Sequence, residues 1–267
     1  MYKGKIMNAV NKTLYIPLYG KALVSSKNII LKDKKAEEIW QSQGFTLKGK
    51  SKSKWLAYFM SMRAVVFDTW TKEKIRKFPN AVVLHLGCGL DSRVLRVDNK
   101  TNEWYDVDFD TVIAERKKYY QETATYHMLS QDISKSDFIK SLPNGDSAIV
   151  ILEGVSMYLS NGQLSQTLLD LGKKYKRLSV LVDCYTPFAV KMSKLKNPIK
   201  DVGASKVYGI ESSSVLEKGA NLIYVKEHLL TPQYLIDNLK GFEKFIFKTI
   251  YAGKTSKKLY KLYEYKK

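Results

Sequence analysis

The stretch AVVLHLGCGLDSR, residues 81–93, decides the fold. Its first half is a short branched and apolar run of the length of a fully buried strand, and its second half opens with the small residues Gly87-Cys88-Gly89. A strand that ends in such a turn lets a ligand approach the backbone, as at the first turn of dinucleotide-binding folds. Working outward, WYDVDFD (residues 104–110) reads as a second strand, and Asp108 lies 19 positions after Gly89. An acid at about that distance is placed to accept hydrogen bonds from both hydroxyls of a ribose, so turn and acid together point to an adenosine-containing ligand. Asp132 follows a third strand (126–129), where it can receive an adenine amino group, and Glu153 ends a fourth (147–152). Taken singly, each has a plainer reading: Gly87 and Gly89 as a tight turn, Asp106 and Asp110 as solvent-facing or capping, Asp132 as the cap of a short helix. Taken together, glycines or acids at the carboxyl ends of four consecutive strands favour a ligand crevice.

The rest of the chain supports an α/β sheet covered on both faces. Helical spacing marks 111–121 and 162–175 between the strands, with Asp110 placed to cap the first, and a fifth strand falls at 178–182. Residues 9–77 read mostly as helix, especially 35–43 and 55–67, with Ser51 and Ser53 available as caps. This divides the chain into a helical N-terminal cap, 1–80, and a core, 81–267. Residues 185–221 lose the rhythm and read as an insertion, a lid over the strand ends. Beyond it, 222–225 reads as a strand and 232–239 as a helix. Two strand-like runs follow, 242–251 and 259–265, whose short link requires an antiparallel pair.

Composition bounds the function. The 267 residues hold 45 Lys plus Arg against 26 Asp plus Glu, a formal charge of +19, with 45% hydrophobic residues, enough to exclude general disorder. No apolar run approaches the roughly 20 residues of a bilayer span, and the N-terminus lacks the apolar core of a signal peptide. Cys88 and Cys184 are too few for a disulfide framework or thiolate metal cage, so a cytoplasmic protein without a metal is expected. The positive charge raises a nucleic-acid reading, but it is spread along the chain, and only six residues are Arg (63, 76, 93, 96, 116, 177).

Beyond these motifs, TLYIPLYGKAL (13–23), ILKDKKAEEI (30–39), SMRAVVFDTW (61–70), LGCGLDSR (86–93), WYDVDFDTVIAERKKYY (104–120), SQDIS (130–134), LEGVSMYLS (152–160) and VYGIESSSVLE (207–217) run in order along nearly the whole chain. The series resembles the class I S-adenosylmethionine-dependent methyltransferases of the leucine carboxyl methyltransferase type, including their polyketide O-methyltransferase-like branch. The resemblance implies a Rossmann-like, mostly parallel seven-stranded sheet with an antiparallel C-terminal strand. It implies that Arg63 binds the methionine carboxylate of the cofactor and that Gly87, Cys88 and Gly89 underlie that moiety. Asp108 would hold the ribose, Asp132 and Ile133 the adenine, Glu153 would lie near the methionine amino group, and Phe109 is a further cofactor-binding residue.

The sequence departs from the family where His85 replaces an acid two positions before the first glycine, and at Lys21, Lys34 and Asp110. His85 and His127 read as histidines satisfied within strands. Tyr158 and Tyr208 are candidates to line the acceptor site, and His228 is a candidate base that approaches the crevice. The expected reaction is methyl transfer to a carboxylate or hydroxyl oxygen of a small molecule, an anionic one in keeping with the charge. A protein C-terminus, a nucleic-acid base and a chain that only binds the cofactor are the alternatives. The turn Glu153-Gly154-Val155-Ser156 lacks the Asn/Asp-Pro-Pro-aromatic form of base-modifying enzymes, and Ser92 stands where the dinucleotide fingerprint requires its third glycine, which disfavours NAD.

Overall fold

The computed structural model describes residues 13–44, 46–193, 207–252 and 258–267. Its helices are α1 (Tyr15–Ser26), α2 (Lys34–Ser42), α3 (Lys54–Lys77), α4 (Arg93–Arg96), α5 (Asp110–Arg116), α6 (Phe138–Ser141), α7 (Asn161–Lys174), α8 (Pro187–Ser193), α9 (Ser214–Ala220), α10 (Gln233–Ile236) and α11 (Gly241–Ile246). Its strands are β1 (Val82–Leu86), β2 (Trp104–Asp108), β3 (Tyr126–Ser130), β4 (Ser147–Leu152), β5 (Arg177–Tyr185), β6 (Ile223–Glu227) and β7 (Tyr260–Lys266). They form one sheet in the order β3-β2-β1-β4-β5-β7-β6, with β7 antiparallel to both neighbours and the other pairs parallel.

The strand sequences explain why the sheet is buried on both sides. Every residue of β1 is buried, and along β4 the side chains alternate between two cores. Ile149 and Ile151 join one core with Leu18, Phe67 and Trp70 from α1 and α3. Ala148, Val150 and Leu152 join the other with Leu164, Leu168 and Leu171 from α7 and Leu216 from α9. Helix α7 starts on a reciprocal capping box between Ser160 and Gln163, and α3 stops at Phe78, where Pro79 disfavours a further helical residue. Among the described residues no helix is long and apolar enough to cross a membrane.

Because β2 and β3 lie on one side of β1 and β4 on the other, the chain reverses its winding between β1 and β4. Their carboxyl ends therefore flank a crevice, the usual ligand position in open α/β sheets.

Several local expectations are corrected. The run 242–251 is not a strand: α11 continues into a single π turn, Phe247–Tyr251. Its aromatic and β-branched content mimics a strand, but the one fully buried side chain is Phe247, as in a helix touching the body along one narrow line. The antiparallel partners of β7 are β5 and β6 instead. Asp110 is the first residue of α5 rather than its cap, a position held by Phe109. Of the expected lid, 194–206 lies outside the described residues. Helix α9 packs on α7 closely enough that a Cβ on Gly219 would meet Ser165 Oγ at 2.4 Å, so that part of the insertion is a crossover helix on the sheet face.

Candidate active site

The glycine turn is shaped by backbone conformation and contact. Gly87 and Gly89 have φ of +71° and +54°, in the left-handed region that disfavours side chains, and a Cβ on Gly87 would meet Val155 Cγ2 at 2.3 Å. The Gly87 amide donates to the Val107 carbonyl at 2.7 Å, fixing the turn to the end of β2. Asp108 closes the loop: its Oδ2 accepts from the Gly89 amide and its Oδ1 from the Phe109 amide, each at 2.8 Å. Burial pushes the Asp108 carboxyl up to about 6, against the pull of these two amides. From behind, the Arg116 guanidinium donates to the Gly89 carbonyl at 3.0 Å and to Asp106.

Asp106, which the sequence suggests is solvent-facing or capping, is fully buried. It accepts from Trp104 Nε1 at 2.8 Å and Tyr126 Oη at 2.8 Å, and meets His85 Nδ1 at 3.1 Å as well as Arg116. A buried carboxylate with four partners on three strands and a helix is structural, and its neighbours make up for its desolvation. His85 is likewise satisfied inside the fold, as expected, with its Nε2 3.3 Å from Arg93 Nη1. His127 stacks on Tyr105 with ring centroids 4.6 Å apart.

At the other end of the crevice, Arg63 of α3 reaches Glu153 Oε1 at 3.1 Å and Asp183 Oδ2 at 2.7 Å. Asp183 also accepts from the Gly154 amide at 2.7 Å, so one carboxylate fixes both the arginine and the turn after β4. Burial pushes the Asp183 carboxyl up to about 6, partly opposed by Arg63. Burial would raise Glu153 too, but the Arg93 and Arg63 charges outweigh it and hold the carboxyl down at about 2.

Glu153 opens a buried chain of ion pairs through Arg93 to Asp68 (2.7 Å), then Arg96, then Asp33 (2.7 Å), with Lys21 on Asp91 at 2.7 Å alongside. Ser92, the position of the missing third glycine, donates to Asp33 at 2.6 Å.

These groups surround one cavity of about 370 Å³. All nine residues expected at the cofactor border it: Arg63, Gly87, Cys88, Gly89, Asp108, Phe109, Asp132, Ile133 and Glu153. Asp132 turns one carboxylate oxygen to the Ser134 amide (3.0 Å) and hydroxyl (2.7 Å), so it also forms the local turn of its plainer reading. Tyr158 lines the cavity, whereas Tyr208 does not; its amide donates to the Met157 carbonyl behind the wall. The expectation that His228 approaches the crevice is corrected: its Nε2 is 2.7 Å from Glu264 Oε2, which belongs to a carboxylate that also pairs with Lys74, and it borders no part of the cavity. Edge strand β6 carries it past the sheet end, and the buried carboxylate of β7 captures it.

Sequence reasoning missed Asp183, Asp91 and Tyr260, and marked Lys21 only as a departure from the family. The signal for Asp183 was present in LSVLVDCY, where a lone acid interrupts an otherwise buried strand. Nothing local marks Tyr260, which enters the cavity from the antiparallel strand.

The chain is similar to known methyltransferases in sequence and fold. The tetracenomycin polyketide synthesis O-methyltransferase TcmP of Streptomyces glaucescens is 29% identical over 213 residues, 79% of each chain. The S-adenosyl-L-methionine-dependent methyltransferase dpfgK of Gibberella zeae is 27% identical over 180 residues, 61% of this chain and 60% of that one. A putative methyltransferase from Thermobifida fusca shares the fold, with a TM-score of 0.61 over 94% of each chain at 11% identity. The family model for leucine carboxyl methyltransferase matches residues 8–171, which span the arginine helix and all four strand ends of the cavity. The chain belongs to the leucine carboxyl methyltransferase family.

Proposed function

We propose that this methyltransferase transfers the methyl group of S-adenosylmethionine to a carboxylate oxygen of a small, largely apolar acid. The observation that carries the reading is the convergence of four strand ends and the arginine helix on one cavity. The residues fit the group. Gly87 and Gly89 bring bare backbone to the cavity wall, Asp108 offers carboxylate acceptors at the mouth of β2, and the Arg63 guanidinium lines the cavity from α3. Asp108 and Phe109 would hold the ribose, Asp132 and Ile133 the adenine. Arg63 would hold the methionine carboxylate, with Glu153 beside the amino group. Asp183 and Glu153 keep the Arg63 fork in one orientation, so little side-chain freedom is lost on binding.

When bound, S-adenosylmethionine supplies an electrophilic methyl group on a sulfonium that leaves as a neutral thioether. The chain aligns an acceptor and excludes water. Leu14, Pro17, Met60, Met157, Tyr158 and Tyr260 contribute mostly apolar wall for this purpose. Burial raises the Tyr158 and Tyr260 phenols well above their ordinary range, so neither serves as a phenolate base at neutral pH, and Tyr260 is already hydrogen-bonded to Tyr185. Among the described residues that line the cavity the one histidine is His85, and both of its ring nitrogens are engaged. A carboxylate arrives ionised and needs no proton acceptor, whereas an alcohol does, which favours methyl ester formation. TcmP, an O-methyltransferase of polyketide synthesis, supports an oxygen acceptor.

The test is incubation with methyl-labelled S-adenosylmethionine and a small-metabolite fraction, followed by mass spectrometry. Label released by mild alkali supports the ester. Alkali-stable label refutes it in favour of an ether, label in RNA or protein refutes the small acceptor, and binding without turnover refutes catalysis.

A further inference from the structure

Among the described residues the two most exposed large apolar side chains share one element that the proposed reaction does not use, and a third exposed one follows on its continuation. Phe242 is 73% exposed, Phe245 63% and Ile250 58%, all on α11 and the π turn that continues it. Phe242, Phe245 and exposed Thr249 are spaced three and four apart and form one outward stripe, with Ile250 beside it. The inward side is anchored: Phe247 is fully buried, Tyr251 stacks on Trp55 at 5.4 Å, and Glu243 takes hydrogen bonds from Lys54 at 2.8 Å and Tyr58 at 2.9 Å. The stripe is therefore held outward by the fold. Such a contiguous apolar face marks an interaction surface.

Its surroundings select the occupant. Lys240, Lys244 and Lys248 lie on the same element or next to it. Lys54 and Lys27 are brought alongside through Glu243 and the Tyr58 hydroxyl, which Lys27 reaches at 3.4 Å. Glu243 and Asp237 pair with two of these five lysines, Lys54 and Lys244, at 2.8 and 2.7 Å, which leaves a surplus of three positive charges among these groups. Two copies of this face would set like charges opposite each other, so self-association is disfavoured. Anionic headgroups match the lysines. Fluid acyl chains accept separate projecting phenyl groups without a complementary groove.

We propose that α11 and its π turn form an interfacial docking face for an anionic lipid surface, with Phe242, Phe245 and Ile250 inserted at the acyl boundary and the surrounding lysines at headgroup level. The absence of a spanning helix among the described residues does not bear on this, because interfacial docking needs none. The proposal is independent of the acceptor's identity.

The experiment is flotation of the full chain with vesicles of phosphatidylcholine alone or mixed with phosphatidylglycerol, at about 0.1 M and about 0.5 M salt. The expected result is binding to the anionic vesicles only, weakened by the higher salt and reduced at least about tenfold in the double variant Phe242→Ser/Phe245→Ser. These side chains are exposed, so the variant should melt with the wild type, and unchanged circular dichroism confirms its fold. Three outcomes overturn the proposal: wild-type protein that stays unbound with anionic vesicles, a double variant that binds as well as wild type, or a concentration-dependent dimer abolished by the same substitutions.

Discussion

Lowering the pH from about 7 to 5 should weaken binding of S-adenosylhomocysteine, and the size of the effect follows from two carboxyls. Asp108 and Asp183 are both raised to about 6, in each case chiefly by burial. In the proposed site Asp108 must be ionised to accept two ribose hydroxyls, and Asp183 must be ionised to hold Arg63. For one such group the apparent dissociation constant rises about twofold at pH 6 and about tenfold at pH 5, and with both required the loss approaches a hundredfold. Unfolding does not explain this window. Glu153 and Glu264 are held at about 2, so the stability they contribute is present above the ordinary glutamate value and lost only as pH falls below it toward 2. Asp108 and Asp183 act in the opposite sense: the folded chain holds their protons more tightly than the unfolded chain, so protonating them favours the fold. Isothermal titration across the range, with a thermal melt at each pH, is the assay. An affinity that stays flat down to pH 5 refutes the argument. So does an Asp108→Asn variant that keeps the full pH dependence, because the substitution should remove one of its two protons and weaken binding at pH 7 by at least about tenfold.

Gly87→Ala should destabilise the chain by about 2–4 kcal/mol, combining the cost of φ at +71° with the overlap on Val155; a urea midpoint reads it, and Val155→Ala in the same chain should recover only the overlap. Glu153→Gln leaves Arg63 and Arg93 short of a buried counter-charge and should cost about 3–5 kcal/mol by the same measurement. His228→Ala should leave kcat/KM within about twofold, because the imidazole is held by Glu264 away from the cavity, and steady-state kinetics on the identified acceptor checks it.

The site was legible where chemistry and topology coincide along one strand. Gly87, Asp108, Asp132 and Glu153 each follow an apolar run, and parallel pairing brings the carboxyl ends of successive runs to one edge whatever the loops do. Residues contributed across the sheet were not legible in this way. Tyr260 owes its position to the antiparallel β5–β7 register, and no spacing in the sequence encodes that pairing, whereas Asp183 sits one residue beyond the parallel Leu152–Val182 pair, level with Glu153. The run 242–251 failed for a different reason. Its outward phenylalanines carry the composition of a strand, but they do not pack, so the core provides no periodicity against which to read them.

The same distinction resolves the charge. Of the six arginines, Arg63, Arg93, Arg96 and Arg116 have side chains no more than 8% exposed, and each is paired with buried carboxylates. The guanidinium forks serve internal recognition, while the +19 surplus is carried outside by lysine. Replacing any of these four by lysine conserves the net charge and should still weaken the fold or the site, because a single ammonium cannot serve several buried acceptors in the fixed directions of the guanidinium fork. For Arg63→Lys the loss should fall on cofactor affinity in particular, since the substituted ammonium would have to leave either Glu153 or Asp183 to reach a ligand carboxylate. By the same logic, exchanging exposed Arg76 or Arg177 for lysine should leave both affinity and melting temperature unchanged. A set of six arginine-to-lysine variants that all behaved alike would sink this division between an inner arginine framework and an outer lysine surface.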